Sequence, residues 1–117
     1  MLERKYRLRQ GKDFQAVYGN HDAVAASTVV LYIKDTKMDG GPRVGFSVSK
    51  KLGGAVVRNR CRRVLQEILR RHIHEIKPGR DYVFIGRGPL AGADSACVER
   101  DVMKVLSRKG CLRKQDG

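Results

Sequence analysis

Residues 43–63, RVGFSVSKKLGGAVVRNRCRR, decide the fold because the residue pattern changes twice within them. From 43 to 49, apolar and polar residues alternate, which is typical of a strand with one buried face. A loop containing a glycine pair follows over 49–55, and apolar residues then recur with a helical period from about 56 to 75. The segment therefore predicts a strand, a basic loop and a long helix in succession.

The predicted strand has two different faces. Val44, Phe46 and Val48 share the side that is expected to face a core. The opposite side carries small or polar residues, namely Arg43, Gly45, Ser47 and Ser49. Such a face leaves room for another molecule to lie against the sheet.

The predicted helix concentrates positive charge. Its apolar stripe consists of Val57, Cys61, Val64, Leu65, Ile68 and His72. Residues 43–71 contain nine basic residues and one acid, Glu67, which is a local balance of +8. Arginine matches phosphate with paired hydrogen bonds, so the run from Arg58 to Arg63 favours a phosphate-rich partner.

A short helix and three strands are predicted around this segment. Asp13 is a suitable N-cap for a helix over 14–20, on which Phe14, Val17 and Tyr18 share one face. β-Branched and aromatic residues predict strands over 27–35 and 81–87, and a short strand near 23–26 is compatible with the pattern.

The connection between the first two main strands contains Asp39-Gly40-Gly41, a hairpin-type turn. The strand over 43–49 is therefore expected to pair antiparallel with the strand over 27–35. A last helix, capped by Asp94 or Ser95, would run to about residue 108. Its apolar side would consist of Val98, Val102, Val105 and Leu106.

The order of these elements, α-β-β-α-β-α, predicts an α+β two-layer sandwich with an antiparallel sheet. Its 117 residues suit one domain, 1–117. Residues 1–12 would form a basic N-terminal arm, and about 109–117 a frayed basic tail.

The composition limits the partner. The chain has 25 Lys and Arg against 12 Asp and Glu, a formal net charge of +13. A domain so charged repels itself unless a polyanion or a membrane surface neutralises it. The helical stripe lacks the aromatic residues that anchor membrane-surface helices, and a merely solvated face is usually mixed in sign. Nucleic acid is therefore the leading partner class, and no membrane partner is expected.

The sequence also favours a cytoplasmic location. No stretch is long or apolar enough to cross a bilayer, and residues 1–12 lack the apolar region of a secretory signal. Cys61, Cys97 and Cys111 are widely spaced and form no metal-binding pattern, so they are interpreted as reduced thiols.

Little in the sequence supports a protein-catalysed reaction. The carboxylates are scattered rather than clustered for metal binding, and His72 and His74, two residues apart on a helix, face different directions. We expect no catalytic residue and no metal site in the protein. The rings of Phe14, Tyr18 and Tyr32 could stack on unpaired bases or simply pin the first helix to the sheet; the residues alone leave both interpretations open.

Three segments resemble one family in order and spacing: DFQAVY at 13–18, VVLY at 29–32, and the run over 43–63. Over roughly residues 6–106 the chain resembles the bacterial ribonuclease P protein component family. The resemblance implies a small protein partner of a ribozyme that removes the 5′ leader from precursor tRNA. The RNA subunit would hold the active site, and Mg²⁺ would be held mainly by that RNA and the substrate.

The resemblance further implies the fold. It is a ribosomal protein S5 domain 2-like, or ferredoxin-like, sandwich of order α-β-β(-β)-α-β-α. The family fold includes a left-handed βαβ crossover, which general topology rules would not suggest. Two positions depart from the family pattern, since Gln66 stands where a basic residue is common and Gly54 where Asn is common.

Two sites follow from the resemblance. The catalytic RNA would contact Lys50, Lys51, Arg58, Asn59, Arg60, Arg62 and Arg63. The single-stranded leader would lie in a cleft between the first helix and the sheet, against Phe14, Tyr18, Tyr32, Ser47 and Ser49. The expected partners are ribonuclease P RNA and precursor tRNA, with no DNA. The alternative is a non-enzymatic RNA-binding protein of ribosomal type; a protein-only nuclease is disfavoured by the scattered carboxylates.

Overall fold

This computed structural model describes residues 2–36 and 40–113, which contain three α-helices and one four-stranded sheet, joined by loops and short 3₁₀ turns. The helices are α1 (Gly11–Gly19), α2 (Ala55–His72) and α3 (Ser95–Arg108). The strands are β1 (Ala23–Ala25), β2 (Val29–Asp35), β3 (Arg43–Ser47) and β4 (Arg80–Gly86). The predicted α+β class and the short additional strand near 23–26 are confirmed.

The sheet has the order β1-β2-β4-β3, so β4 lies between β2 and β3. β4 pairs antiparallel with β2 and parallel with β3. The prediction that β3 pairs antiparallel with β2 is therefore wrong, and no hairpin joins those two strands; Asp39 of the expected turn lies outside the described residues. Tyr82, Val83 and Phe84 are all fully buried, as expected for a central strand covered on both faces.

One face of the sheet carries the main core. β3, α2 and β4 form a βαβ unit, and α2 and α3 both pack on this face. α2 buries Cys61, Leu65 and Ile68 of its predicted stripe, and also Leu69. α3 buries all four of its predicted residues, Val98, Val102, Val105 and Leu106. The Asp94 carboxylate caps α3 by accepting a hydrogen bond from Cys97 N at 2.8 Å.

The other face is partly covered by α1. This helix begins at Gly11 and not at residue 14, and the prediction that Asp13 caps it is wrong. The Gln10 carbonyl accepts hydrogen bonds from the backbone N–H of Asp13 and of Phe14, so the first turn closes without a side-chain cap. Asp13 instead lies in the first turn, 3.9 Å from Arg43.

Both ends of the described chain pack against the domain. Leu2 and Leu8 are buried, and Leu8 N donates to Val44 O at 2.9 Å, so part of the N-terminal arm lies along β3. Residues 109–113 are not frayed, contrary to the prediction. Cys111 is fully buried, and Arg113 N donates to Glu75 O at 2.7 Å. Residues 114–117 lie outside the described part of the chain.

The cysteines and the apolar character of the helices can also be described. Cys61, Cys97 and Cys111 are free thiols, and only Cys97 is partly exposed. Among the described residues, no helix combines the length and apolar character needed to cross a membrane.

A histidine joins the C-terminal end of α2 to α3. His72 Nδ1 lies 2.5 Å from an oxygen of Glu75, and Nε2 lies 2.8 Å from an oxygen of Glu99. Burial opposes protonation of His72, but hydrogen bonds to Glu99 and Glu75 outweigh it and raise its pKa. The Glu99 carboxylate also accepts a hydrogen bond from Arg71 at 2.9 Å. α2 is thus held by ionic contacts at its end.

We expect the free energy of unfolding to fall as the pH rises through the raised pKa of folded His72. The charged histidine is favoured in the folded state, so its contribution is complete below the unperturbed value of 6.5 and is lost above it. Urea unfolding across this pH range measures the effect. His72→Gln should remove this pH dependence, whereas His74→Gln, at an exposed position nearby, should retain it. Equal pH profiles for the two variants would contradict the assignment.

Candidate nucleic-acid interface

A short basic turn leads directly from β3 into α2. Lys50 and Lys51 are exposed in the turn Lys50–Leu52, which begins after Ser49. Gly53 then adopts a φ of 147°, a conformation that L side chains rarely adopt, and a Cβ there would lie 3.0 Å from Val57 Cβ. Gly53 therefore fixes the turn that brings both lysines next to the start of α2.

The first two turns of α2 carry the remaining residues of the predicted RNA-binding group. Asn59, Arg60 and Arg63 are exposed, while Arg58 and Arg62 are partly buried. Arg62 donates a hydrogen bond to the Asn59 side-chain oxygen at 3.0 Å, so Asn59 orients a neighbouring guanidinium. The Arg58 Nε is buried and has no hydrogen-bond partner among the described residues.

The arginines of α2 fall into two groups that the sequence does not separate. In the described part of the chain, no carboxylate forms an ion pair with Arg58, Arg60, Arg62 or Arg63. About two helical turns later the charges are matched, because Arg70 binds Glu67 and Arg71 binds Glu99. Within α2, the arginines without a carboxylate partner in the described fold therefore lie in the N-terminal half, next to the basic turn.

Arg43 lies apart from this basic surface. It donates two hydrogen bonds to the Asp81 carboxylate, at 2.9 and 2.8 Å, on the sheet face that α1 partly covers. The hydrogen bond to Asp81 raises the pKa of Arg43. Although Arg43 contributes to the local charge of +8 in the sequence, its charge is neutralised within the fold.

Three aromatic rings lie between α1 and the sheet, at the position of the predicted leader-binding cleft. The ring of Tyr18 is 6.5 Å from that of Phe14 and 5.3 Å from that of Tyr32, measured between centroids. The three rings pack around the buried Val17 and Val83 but remain partly exposed. Each ring therefore both holds α1 on the sheet and presents surface to solvent, so the two interpretations of these aromatics are compatible.

The open end of the cleft adjoins the basic turn. Tyr32 pairs with Val83, and Gly45 pairs with the same residue from the other side, so these three form one row across the sheet. The next row is Val30, Ile85 and Ser47, all partly exposed. Ser49 follows β3 and is exposed, one residue before Lys50. The predicted leader-binding residues thus lie on one continuous surface that leads to the basic turn.

Val30 and Ile85 belong to this surface, although neither is among the residues that the sequence predicts for it. The position of Val30 could have been found from strand alternation, because Val30 lies two residues from Tyr32 on the same face. Ile85 was hidden within the apolar run of β4. The described residues bring together no group of three His, Cys, Asp or Glu side chains able to hold a metal ion.

A basic helical surface joined to a partly exposed aromatic cleft, on an α+β scaffold, defines an RNA-binding protein. Residues 2–110 match the family model of ribonuclease P. The chain is 39% identical over 113 residues to the ribonuclease P protein component of Geobacillus kaustophilus, covering 97% of this chain and 93% of the relative. The chain therefore belongs to the family of ribonuclease P protein components.

Solved structures agree with this assignment. The Staphylococcus aureus RNase P protein superposes with a TM-score of 0.84 at 31% identity, covering 92% of this chain and 98% of that one. The Thermotoga maritima RNase P protein gives a TM-score of 0.79 at 30% identity, with 87% and 96% covered. The resemblance in sequence and the fold class inferred from it are both confirmed, while the individual RNA-contacting residues stay predictions.

Gly45→Ala tests the close packing of the cleft. A Cβ at position 45 would lie 2.5 Å from the Phe14 ring and 3.2 Å from Leu8 Cβ, so the ring must move. We expect a destabilisation of about 1–3 kcal/mol, typical of overpacking, measured by urea unfolding.

Two variants make this test specific. Gly19→Ala, at a helical glycine with no atom within 4 Å of the added methyl group, should not destabilise the protein. Adding Phe14→Ala to Gly45→Ala should remove most of the destabilisation, because the Phe14 ring no longer occupies the space of the added methyl group. If the two substitutions were simply additive, the contact between Phe14 and Gly45 would not constrain the cleft.

Proposed function

We propose that this chain is the protein subunit of a ribonuclease P ribonucleoprotein, which removes the 5′ leader from precursor tRNA. The observation that carries the proposal is the continuity of two surfaces, the unpaired arginines of α2 and the partly exposed aromatic cleft. Their order along the chain, through Ser47, Ser49 and Lys50, allows one protein to contact the RNA subunit and the leader at once.

Catalysis is assigned to the RNA subunit in this proposal. Among the described residues, no three His, Cys, Asp or Glu side chains come together as metal ligands, which supports assigning the Mg²⁺ to the RNA. Mg²⁺ would be held by phosphates of the RNA subunit and the substrate, where it supplies charge stabilisation for hydrolysis. The protein's contribution is to bind and position RNA, and we place it in the cytoplasm, where bacterial transcripts are processed.

The physical role of the basic surface is to offset phosphate repulsion. Two RNA molecules brought together repel each other, and a protein with a net charge of +13 lowers that repulsion at their junction. Arg58, Arg60, Arg62 and Arg63 meet no carboxylate in the described fold, so they can pair with phosphates without first breaking an ion pair. Each phosphate contact releases counterions, which makes the affinity salt-dependent.

The activity itself can be measured directly. The protein is mixed with a ribonuclease P RNA at a low Mg²⁺ concentration that does not support cleavage by the RNA alone, and leader removal from precursor tRNA is followed. We expect cleavage to be restored by the protein. A ribosomal-type RNA-binding protein would bind RNA without restoring cleavage, and a protein-only nuclease would cleave without the RNA subunit.

Arg63→Ala should weaken binding to the ribonuclease P RNA. Arg63 is exposed and unpaired, so its loss removes a phosphate contact and should reduce the salt dependence of log K by about 1. Arg70→Ala is the matched control, because it removes the same charge from the same helix at a residue already paired with Glu67. Filter binding across a salt series measures both. A comparable loss of RNA affinity for the two variants would mean that binding depends only on the net charge of the protein.

Tyr32→Ala should reduce the discrimination between precursor and mature tRNA. If the ring stacks on a leader base, its removal costs about 1–3 kcal/mol of precursor affinity and leaves mature tRNA affinity unchanged. Tyr6→Ala controls for the loss of a tyrosine outside the cleft, since Tyr6 lies beside His74. If Tyr32→Ala lost equal affinity for precursor and mature tRNA, the leader-binding role of the cleft would be contradicted.

A further inference from the structure

A groove separates α2 from the start of α3. It is open to solvent and has a volume of about 360 Å³, within the range of roughly 300–1,000 Å³ found for small-ligand pockets. Val64 and Ile68 of α2 form its apolar floor, and Ser95, the first residue of α3, lies on the opposite wall. The groove is on the flank of α2 away from Arg58 and Arg62, so it is not the surface that those residues present.

Arginines surround this apolar floor. Arg60 and Arg63 line the groove near the N-terminal end of α2, and Arg71 lines it about two to three turns further on. Arg71 is engaged by Glu99, and Glu67, also in the lining, is engaged by Arg70. Among the described residues, the hydrogen-bond partner of Arg60 is a neutral carbonyl, that of Ala91 at 3.4 Å, so Arg60 and Arg63 carry the unmatched positive charge of the groove.

An apolar floor next to two unmatched arginines fits a ligand that has a flat or apolar part and an anionic part. A simple phosphate would gain nothing from the floor, and an apolar molecule would gain nothing from the arginines. The start of α3 is a poor place for the anion, because the Asp94 carboxylate already caps that helix. The anion therefore belongs between Arg60 and Arg63, with the apolar part deeper in the groove.

An exposed valine extends this apolar path. Val56 is 82% exposed and precedes Arg60 by four residues, so helical spacing places it on the same flank of α2. A polymer that follows this flank would meet Val56, the two arginines and then the floor. The repeated unit of RNA has the required pair of groups, a phosphate and a flat base.

We propose that the α2–α3 groove receives one unpaired nucleotide of the RNA subunit, with its base against Val64 and Ile68 and its phosphate between Arg60 and Arg63. The inference rests on the proposed function, because it takes the RNA subunit as the partner. It adds a pocket that binds the base of an unpaired nucleotide, on a flank of α2 distinct from the leader-binding cleft.

A pair of charge-matched variants tests the groove. Ser95→Glu places a carboxylate on the groove wall, whereas Ala96→Glu places one on the next, exposed residue of α3. Both lower the net charge by one, and both add a carboxylate where a helix N-terminus favours it. Affinity for ribonuclease P RNA should fall about tenfold for Ser95→Glu, which corresponds to about 1.4 kcal/mol, and less than about twofold for Ala96→Glu. Equal effects would overturn the proposal.

The identity of the ligand is tested with small probes on the full chain. Adenosine 5′-monophosphate should shift the backbone amide resonances of Val64, Ile68 and Ser95, and Ser95→Glu should suppress those shifts. Inorganic phosphate should perturb Arg60 and Arg63 without moving the resonances of the floor. The proposal fails if phosphate reproduces the whole pattern, which would indicate a simple anion site, or if the nucleotide leaves the groove residues unchanged.

Failure of the nucleotide-pocket proposal can be distinguished from failure of the proposed function. If wild-type protein restores leader removal but Ser95→Glu and Ala96→Glu bind the RNA equally well, the function stands and the nucleotide pocket does not. If wild-type protein neither restores cleavage nor binds ribonuclease P RNA, while the nucleotide still perturbs the groove, the RNA partner is wrong and the base-binding pocket survives.

Discussion

Burial of β4 on both faces is the constraint on which the rest of the structure depends. Tyr82 and Phe84 face one side of the sheet and Val83 faces the other, and all three are fully buried. Each side must therefore be covered, by α2 and α3 on one face and by α1 on the other. Since β3 and β4 are parallel neighbours, the chain needs a long crossover between them, and α2 is that crossover.

This arrangement brings the two candidate binding surfaces together. The crossover starts where β3 ends, so the N-terminal turns of α2 lie beside the open end of the cleft on the opposite face. Gly45 makes the cleft narrow, because the Phe14 ring occupies the space of its missing side chain. Gly53 makes the turn into α2 tight. A small number of backbone positions thus sets the geometry of both surfaces, while the basic side chains that would contact RNA have no carboxylate partner in the described part of the fold.

Much of the local structure could be predicted from sequence, because it depends on periodicity within one element. The buried side of α3 and most of the stripe of α2 follow from spacing alone. The order of the strands could not, because Asp39-Gly40-Gly41 suggested a local hairpin while the pairing is decided by the burial of β4, forty residues later. The prediction that residues 109–113 are frayed is wrong for a related reason: charged residues dominate the segment, but the buried Cys111 anchors it.

The charge pattern is harder to interpret than the apolar pattern, because a sequence shows how many charges there are but not which of them are neutralised in the fold. Arg43, Arg70 and Arg71 have carboxylate partners in the fold, whereas Arg58, Arg60, Arg62 and Arg63 have none in its described part. Among the paired residues of α2, Arg71 ties the C-terminal half of the helix to α3 through Glu99. The unpaired ones repel each other in the free protein, a cost to stability that a bound polyanion would relieve. One helix therefore has a structural half and a binding half, and the position of its acidic neighbours separates them.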